Sequence, residues 1–238
     1  MLTKFKAVFF DAGGTLLHPY PSVGEIYAKV GKKYGSKAEA AQLEHSFREI
    51  WLKHDGLARL QSHSDEKLER NFWKTLVEEV FTAAGGVNDF EVFFTELYDL
   101  FARPEVWRLY PDVEDLLKNL KKQGKKLGIV SNWDSRLFHI CEGLELNQYF
   151  DFVLASAVFG ASKPSPKIFE EALKRSGVDA KDAVHIGDSF KDDIEGAGGA
   201  GMSAILIDRH PKGRPHQHHP TIRHFGELVK AGSQKSEV

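Results

Sequence analysis

The chain has a single cysteine, Cys141, in 238 residues, so it cannot close a disulfide on itself. Cys141 sits in an apolar, helix-spaced stretch and reads as a small core residue, which suits a reducing compartment such as the cytoplasm. Excess charge of either sign is also missing. Thirty-two Lys and Arg against thirty-four Asp and Glu leave a formal charge of −2, without the basic footprint of a nucleic-acid or anionic-membrane binder. No apolar run approaches the roughly 20 residues needed to span a bilayer. The opening Met1 to Lys6 lacks the apolar region and small-residue cleavage site of a signal peptide. These absences predict a cytoplasmic globular chain with neither nucleic acid nor membrane as partner, and they leave the oligomeric state open. Strand signal is absent too, from Pro21 to Phe101.

Outside that gap, apolar runs stop on small polar or acidic residues. Ala7-Val8-Phe9-Phe10 stops at Asp11, Leu127-Gly128-Ile129-Val130 at Ser131, and Ala183-Val184-His185-Ile186-Gly187 at Asp188. Short continuous apolar runs followed by helical patterns are how parallel strands buried on both faces read. Ligands of open α/β sheets bind beyond the carboxyl ends of such strands, so Asp11, Ser131 and Asp188 are expected over one crevice. Further strands are predicted at Phe150 to Leu154 and Ser203 to Ile207. Helices are expected from Pro111-Asp112 to the Lys121-Lys122-Gln123-Gly124 stop, over Arg136 to Glu145, from Pro164 and Pro166 to Gly177, and over Ile194 to Ala200.

In the gap, helical periodicity takes over. Val23, Ile26, Tyr27 and Val30 form one stripe, and Leu43, Phe47, Ile50 and Trp51 a second. Leu68, Phe72, Trp73, Leu76, Val77, Val80 and Phe81 form a third, and Phe90, Phe93, Phe94, Leu97 and Phe101 a fourth. The aromatic stripes read as the core of an inserted bundle. The expected fold is α/β: a Rossmann-like parallel sheet from 1–17 and 105–238, with a helical-bundle cap over 18–104. Gly196 to Gly201 matches a dinucleotide fingerprint in letters only; it follows a helix rather than a strand, and tight helix–strand packing is its expected role. His210, His216, His218 and His219 fall in a Pro-rich basic stretch that reads as a solvated loop.

Val8-Phe9-Phe10-Asp11-Ala12-Gly13-Gly14-Thr15-Leu16 resembles the first motif of the haloacid dehalogenase-like (HAD) hydrolases. Ser131-Asn132, Lys163-Pro164 and Gly187-Asp188-Ser189 with Asp192-Asp193 follow in the family's order, and the helical insertion matches its cap type. The stretches Val23 to Tyr27 and Ser131 to Asp134 look most like the group called HAD-like hydrolase domain-containing protein 3. The resemblance implies a nucleophile at Asp11, with Ser131 and Lys163 as catalytic partners and Gly14, Thr15 and Asn132 around the substrate's anion. It also implies Mg2+ held by Asp11, Asp188 and the Gly13 carbonyl, with Asp193, or failing that Asp192, behind Lys163 or a metal-bound water. The implied activity is a phosphatase on a small phosphorylated metabolite, working through an aspartyl-phosphate.

The departure lies at Gly13, where family phosphatases carry the aspartate that protonates the leaving group. General acid–base help is worth about 10² to 10⁴ in rate, so turnover is expected to be slow unless another group, His18 or Asp134, supplies the proton. Three other readings compete. A 2-haloacid dehalogenase lacks the second acid but gains nothing from Asp188. A phosphonoacetaldehyde hydrolase needs a cap lysine such as Lys29, Lys53 or Lys74. A non-catalytic member would bind a phosphorylated ligand without turnover. Specificity is expected in the polar stretch Lys53 to Arg59.

Overall fold

The strand-forming runs assemble as their composition dictates. In a computed structural model, which describes residues 2–54, 56, 63–209 and 219–230, six strands form one sheet in the order β5-β4-β1-β6-β7-β8, parallel throughout. They are β1 (Ala7–Phe10), β4 (Lys126–Ser131), β5 (Phe152–Ala155), β6 (Ala183–Gly187), β7 (Ser203–Ile207) and β8 (Thr221–Ile222). Side chains alternate across a strand. Val8 and Phe10 therefore join one core layer with Leu127, Ile129, Val184 and Ile186, while Ala7 and Phe9 join the other with Val130, Ile168 and Phe169. Phe10 is fully buried, edge-on to Phe150 and Phe225; burial of such a ring contributes about 1.5–3 kcal/mol. Cys141 lies in the first of these layers, where burial pushes its thiol up to about 12.

Helices cover both faces. α5 (Val113–Lys122) and α6 (Arg136–Gly143) pack on one face. α8 (Pro166–Ser176) packs on the other and stops at Gly177, which takes a left-handed conformation. Between them, α7 (Ser156–Phe159) is a single turn directly after β5. The helix expected over Ile194 to Ala200 differs. A π-helical segment (Phe190–Glu195) runs into the short α9 (Gly196–Gly199). π-turns of this kind gather at functional sites, and periodicity over so few residues does not distinguish them from α-helix. A Cβ on Gly196 would lie 2.8 Å from the Phe169 ring, the tight packing expected there. The described residues end with α10 (Gly226–Lys230).

The interval without strand signal folds as four helices: α1 (Val23–Lys33), α2 (Ala40–Lys53), α3 (Glu66–Ala83) and α4 (Phe90–Leu100). Ser22 caps α1 by accepting the Glu25 amide at 3.1 Å, and Asp65 caps α3 by accepting the Leu68 amide at 2.8 Å. The bundle has its own core of Ile26, Val30, Leu43, Leu76, Val80, Phe81, Phe93 and Leu97, among others. Sheet and bundle are joined by a ribbon invisible to pattern reading, β2 (Leu17–Pro19) antiparallel to β3 (Trp107–Leu109). Strands of three residues, one of them containing His and Pro, are too short to show an alternation. Among the described residues no helix is long and apolar enough to cross a membrane.

One buried carboxylate ties bundle to sheet. Glu69 of α3 accepts the Ser64 hydroxyl at 2.6 Å and the Ser156 hydroxyl, at the start of α7, at 2.5 Å. Burial, with the nearby charges of Asp134 and Glu66, outweighs the two hydroxyls and pushes Glu69 up from 4.5 to about 7. The folded state therefore holds a proton there that the unfolded chain releases, and this contact loses stability as pH rises from about 4.5 through 7. In thermal melts, Glu69→Gln should become progressively more stable relative to wild type across that window. A pH-independent difference would contradict the assignment.

Candidate active site

β1 lies between β4 and β6, so their carboxyl ends share one edge, and Asp11, Ser131 and Asp188 all line one cavity there. Asp11 is held by its backbone amide, which donates to the Ile186 carbonyl at 2.9 Å. The side chain of Lys163, only 2% exposed, reaches the same point from the loop between α7 and α8. Its ammonium donates to Asp11 Oδ1 at 2.6 Å and to Asp193 Oδ1 at 2.5 Å. Burial alone would pull this lysine's pKa down, but the two carboxylates outweigh it and drive it up, so the charge persists.

Asp193 is held from three sides. Besides Lys163, it accepts His185 Nε2 at 2.8 Å and the Ser189 amide at 2.9 Å. Burial pushes its carboxyl up, yet Lys163 and His185 more than reverse this and hold it low. Burial also lowers His185, which is therefore a neutral imidazole with its proton assigned to Nε2 by this bond. The sequence pattern missed His185, because a histidine inside an apolar strand reads as core. Asp193 rather than Asp192 takes the lysine, while Asp192 lines the cavity. A Cβ on Gly187 would lie 2.1 Å from the Asp193 carboxyl carbon, so only glycine lets that carboxylate fold back over the strand end.

Asp188 opens onto the cavity, and no cation among the described residues comes within ion-pair distance of it. Although it is exposed to the cavity, desolvation by the surrounding walls, then the charges of Asp11 and Asp193, push its carboxyl well above the usual range, with Lys163 opposing. Asp11 is raised as well, by burial first, with Lys163 and the Ser131 hydroxyl opposing. Oxygens of Asp11, Asp188 and Asp193 lie within 4.8 Å of one another. Three carboxylates against one ammonium leave two negative charges uncompensated when all are ionised. A hard divalent cation on oxygen ligands meets that need, and the residues present fit one.

The first-motif loop departs from expectation at two places. The Thr15 side chain is fully buried, its hydroxyl has no partner among the described residues, and it does not line the cavity. Its carbonyl instead accepts Arg209 at 2.8 and 3.1 Å, and Arg209 pairs with Asp112 and lies over the Tyr110 ring. Asn132 lines the cavity, but both ends of its amide hold Lys163: Nδ2 donates to the Lys163 carbonyl at 3.0 Å and Oδ1 accepts the Lys163 amide at 2.7 Å. The Thr15 side chain thus lies away from the cavity and the Asn132 amide is engaged by the Lys163 backbone, arrangements that side-chain type alone does not reveal. Gly14 does line the cavity. Its φ of +72° and the 2.3 Å that would separate a Cβ from Asp188 both require glycine.

Gly13 is different. Its φ is not in the left-handed region, and a Cβ there would meet only the Trp133 ring, at 3.3 Å. The ring of Trp133 flanks the space a side chain at 13 would enter. Neither suggested substitute acid reaches the cavity. Asp134 is buried under Arg136 (2.7 Å) and Tyr98 (2.7 Å), and His18 contacts the Pro19 carbonyl; neither lines the cavity. Lys29, Lys53 and Lys74 do not line it either, and the latter two pair with Glu79 and Glu91. Of the expected specificity stretch, Lys53 and His54 bind Glu79. Residues 55 and 57–59 lie outside the described residues, as do His210, His216 and His218.

Neighbouring glycines should therefore respond oppositely. Gly14→Ala should destabilise the fold by about 2 kcal/mol or more, through positive φ and collision with Asp188. Gly13→Ala should cost less than about 1 kcal/mol, since Trp133 need give only a few tenths of an ångström. Chemical denaturation of both variants tests this; equal costs would contradict the loop geometry.

A family model described as haloacid dehalogenase-like hydrolase matches residues 5–201. Mouse haloacid dehalogenase-like hydrolase domain-containing protein 3 is 36% identical over 214 residues, covering 86% of this chain and 82% of that protein. Two solved structures align almost end to end. A HAD phosphatase from Thermococcus onnurineus is 30% identical with a TM-score of 0.66, covering 96% of this chain and 98% of its own. A 2-haloacid dehalogenase from Pseudomonas syringae is 26% identical with a TM-score of 0.64, covering 98% and 100%. With the first motif, the buried lysine and the acidic strand ends meeting in one cavity, the chain belongs to the haloacid dehalogenase-like hydrolases.

Proposed function

We propose that the protein is a magnesium-dependent phosphatase acting on a phosphorylated small molecule through an aspartyl-phosphate on Asp11, in the cytoplasm. The observation that carries this reading is Asp188, a carboxylate facing the cavity beside Asp11 with no cation within ion-pair distance among the described residues. A site for a free carboxylate substrate, as in a 2-haloacid dehalogenase, would be penalised by that negative surplus. A phosphonoacetaldehyde hydrolase would need a cap lysine in the cavity.

Magnesium held by Asp11, Asp188 and the Gly13 carbonyl would offset negative charge on the phosphoryl group and the carboxylates. The chain's own residues supply the rest. Lys163 opposes the burial that raises Asp11 and offers its ammonium to phosphoryl charge, and the Ser131 hydroxyl is a further donor. The Asp11 oxygen not held by Lys163 attacks phosphorus. The bond from phosphorus to the ester oxygen breaks, and that oxygen leaves with the electron pair. Water then attacks phosphorus of the aspartyl-phosphate, releasing inorganic phosphate and restoring the carboxylate. Asp193, locked by His185 and the Ser189 amide, keeps Lys163 in place through both steps.

Hydrolysis of p-nitrophenyl phosphate should require magnesium and stop on chelation. Asp11→Asn should lower turnover by about 10⁴-fold or more, and Asp188→Asn should lose both magnesium binding by calorimetry and activity. Activity indifferent to chelation, or halide release from 2-haloacids, would overturn the proposal. Phosphate binding with no turnover of any ester would favour the non-catalytic reading instead.

A further inference from the structure

The cavity is far larger than a phosphate group requires. At about 640 Å³ it falls in the range of pockets that enclose organic ligands, about 300–1,000 Å³. It runs from Asp11, Lys163 and Asp188 into the helical bundle, where its walls are aromatic. Phe47 and Trp51, one turn apart on α2, and Trp73 of α3 form a stacked row, with ring centroids 6.0 and 5.5 Å apart and interplanar angles of 24° and 19°. All three rings are half-buried and line the cavity. Periodicity marks these positions as bundle core, because a cavity wall and a core face repeat alike along a helix. Among the described residues, the two arginines that line the cavity are already matched, Arg48 by Glu44 at 3.0 Å and Arg136 by Asp134 at 2.7 Å.

The leaving-group chemistry is constrained separately. Position 13 has no side chain, and neither Asp134 nor His18 lines the cavity. Tyr27 and Tyr98 do line it, but burial makes both hold their protons more tightly than an ordinary phenol. With no side chain at position 13, the acid that family phosphatases place there is missing, so an ester oxygen that needs little protonation to leave suits this site best. A phenol ionises near pKa ~10 and an aliphatic hydroxyl nearer water's ~15.7, so a phenolate leaves far more readily than an alkoxide.

A flat-walled aromatic chamber and a missing acid converge on one chemistry. Resting on the phosphatase reading above, we infer that the substrate is an aryl phosphate, the phosphate monoester of a phenolic hydroxyl, with its ring against Phe47, Trp51 and Trp73 and its phosphoryl group at Asp11 and Lys163. Attack by Asp11 forms the aspartyl-phosphate and breaks the bond from phosphorus to the phenolic oxygen. The phenolate takes the electron pair and acquires its proton from solvent, and water releases the phosphate.

Steady-state kinetics with 2-naphthyl phosphate, glycerol 1-phosphate and acetyl phosphate test this in magnesium. Acetyl phosphate has a weakly basic leaving group and no ring. Wild type should favour 2-naphthyl phosphate over glycerol 1-phosphate in kcat/KM by at least about 10²-fold. Trp73→Leu should raise the KM for 2-naphthyl phosphate about 10-fold with little change in kcat, and Trp73→Phe, which restores a flat ring, should recover most of it. Comparable kcat/KM for the naphthyl and glycerol esters, or a KM unmoved by Trp73→Leu, would overturn the aryl assignment and leave the phosphatase reading standing. A wild type inert to all three, acetyl phosphate included, would overturn the phosphatase reading and this inference with it.

Discussion

A buried ammonium between two carboxylates is the constraint on which the rest of this structure depends. Lys163 is almost without solvent, and an isolated charge so placed would be costly. Asp11 and Asp193 make it tolerable, and each is in turn fixed by the fold: Asp11 by the β1–β6 ladder, Asp193 by His185, the Ser189 amide and the π-helical turn. Asn132 fastens the lysine's backbone from β4. Three segments far apart in the chain are thereby bound to one charge. Removing either carboxylate would leave a buried lysine half-compensated, a change that typically costs about 3–5 kcal/mol.

The same arrangement sets the chemistry available. One ammonium cannot neutralise three carboxylates, so the site has a standing demand for positive charge beside the nucleophile. The bundle meets the other half of the problem. It brings aromatic walls over the strand ends, and Glu69, shared between Ser64 and Ser156, anchors it to the sheet side of the cavity. With Gly13 bare and Trp133 alongside it, the site suits, on the reading proposed above, an ester that carries a ring and a good leaving group.

Much of this was legible in the residues. Asp11, Ser131 and Asp188 each follow an apolar run, and parallel strands buried on both faces announce themselves in that way. The four bundle helices were equally plain from their apolar spacing. What stayed hidden depended on relations between distant segments. His185 is indistinguishable from core while its partner eight residues later is unknown. Thr15 and Asn132 have side chains suited to binding an anion, and only coordinates reveal that one is buried elsewhere and the other spent on Lys163. Helical periodicity separates buried from exposed faces, so Phe47, Trp51 and Trp73 looked like packing when they also form a wall. β2, β3 and β8 were too short to carry a pattern at all.

The central claim is that Asp11, held by Lys163, becomes covalently phosphorylated. The most direct measurement is rapid acid quench of the magnesium-loaded protein during turnover of an aryl phosphate, followed by peptide mapping by mass spectrometry. The account predicts one phosphoryl group on the peptide containing Asp11, formed no more slowly than product and absent in Asp11→Asn. Product release with no phosphoryl group on that peptide, or with the group on another residue, would contradict it.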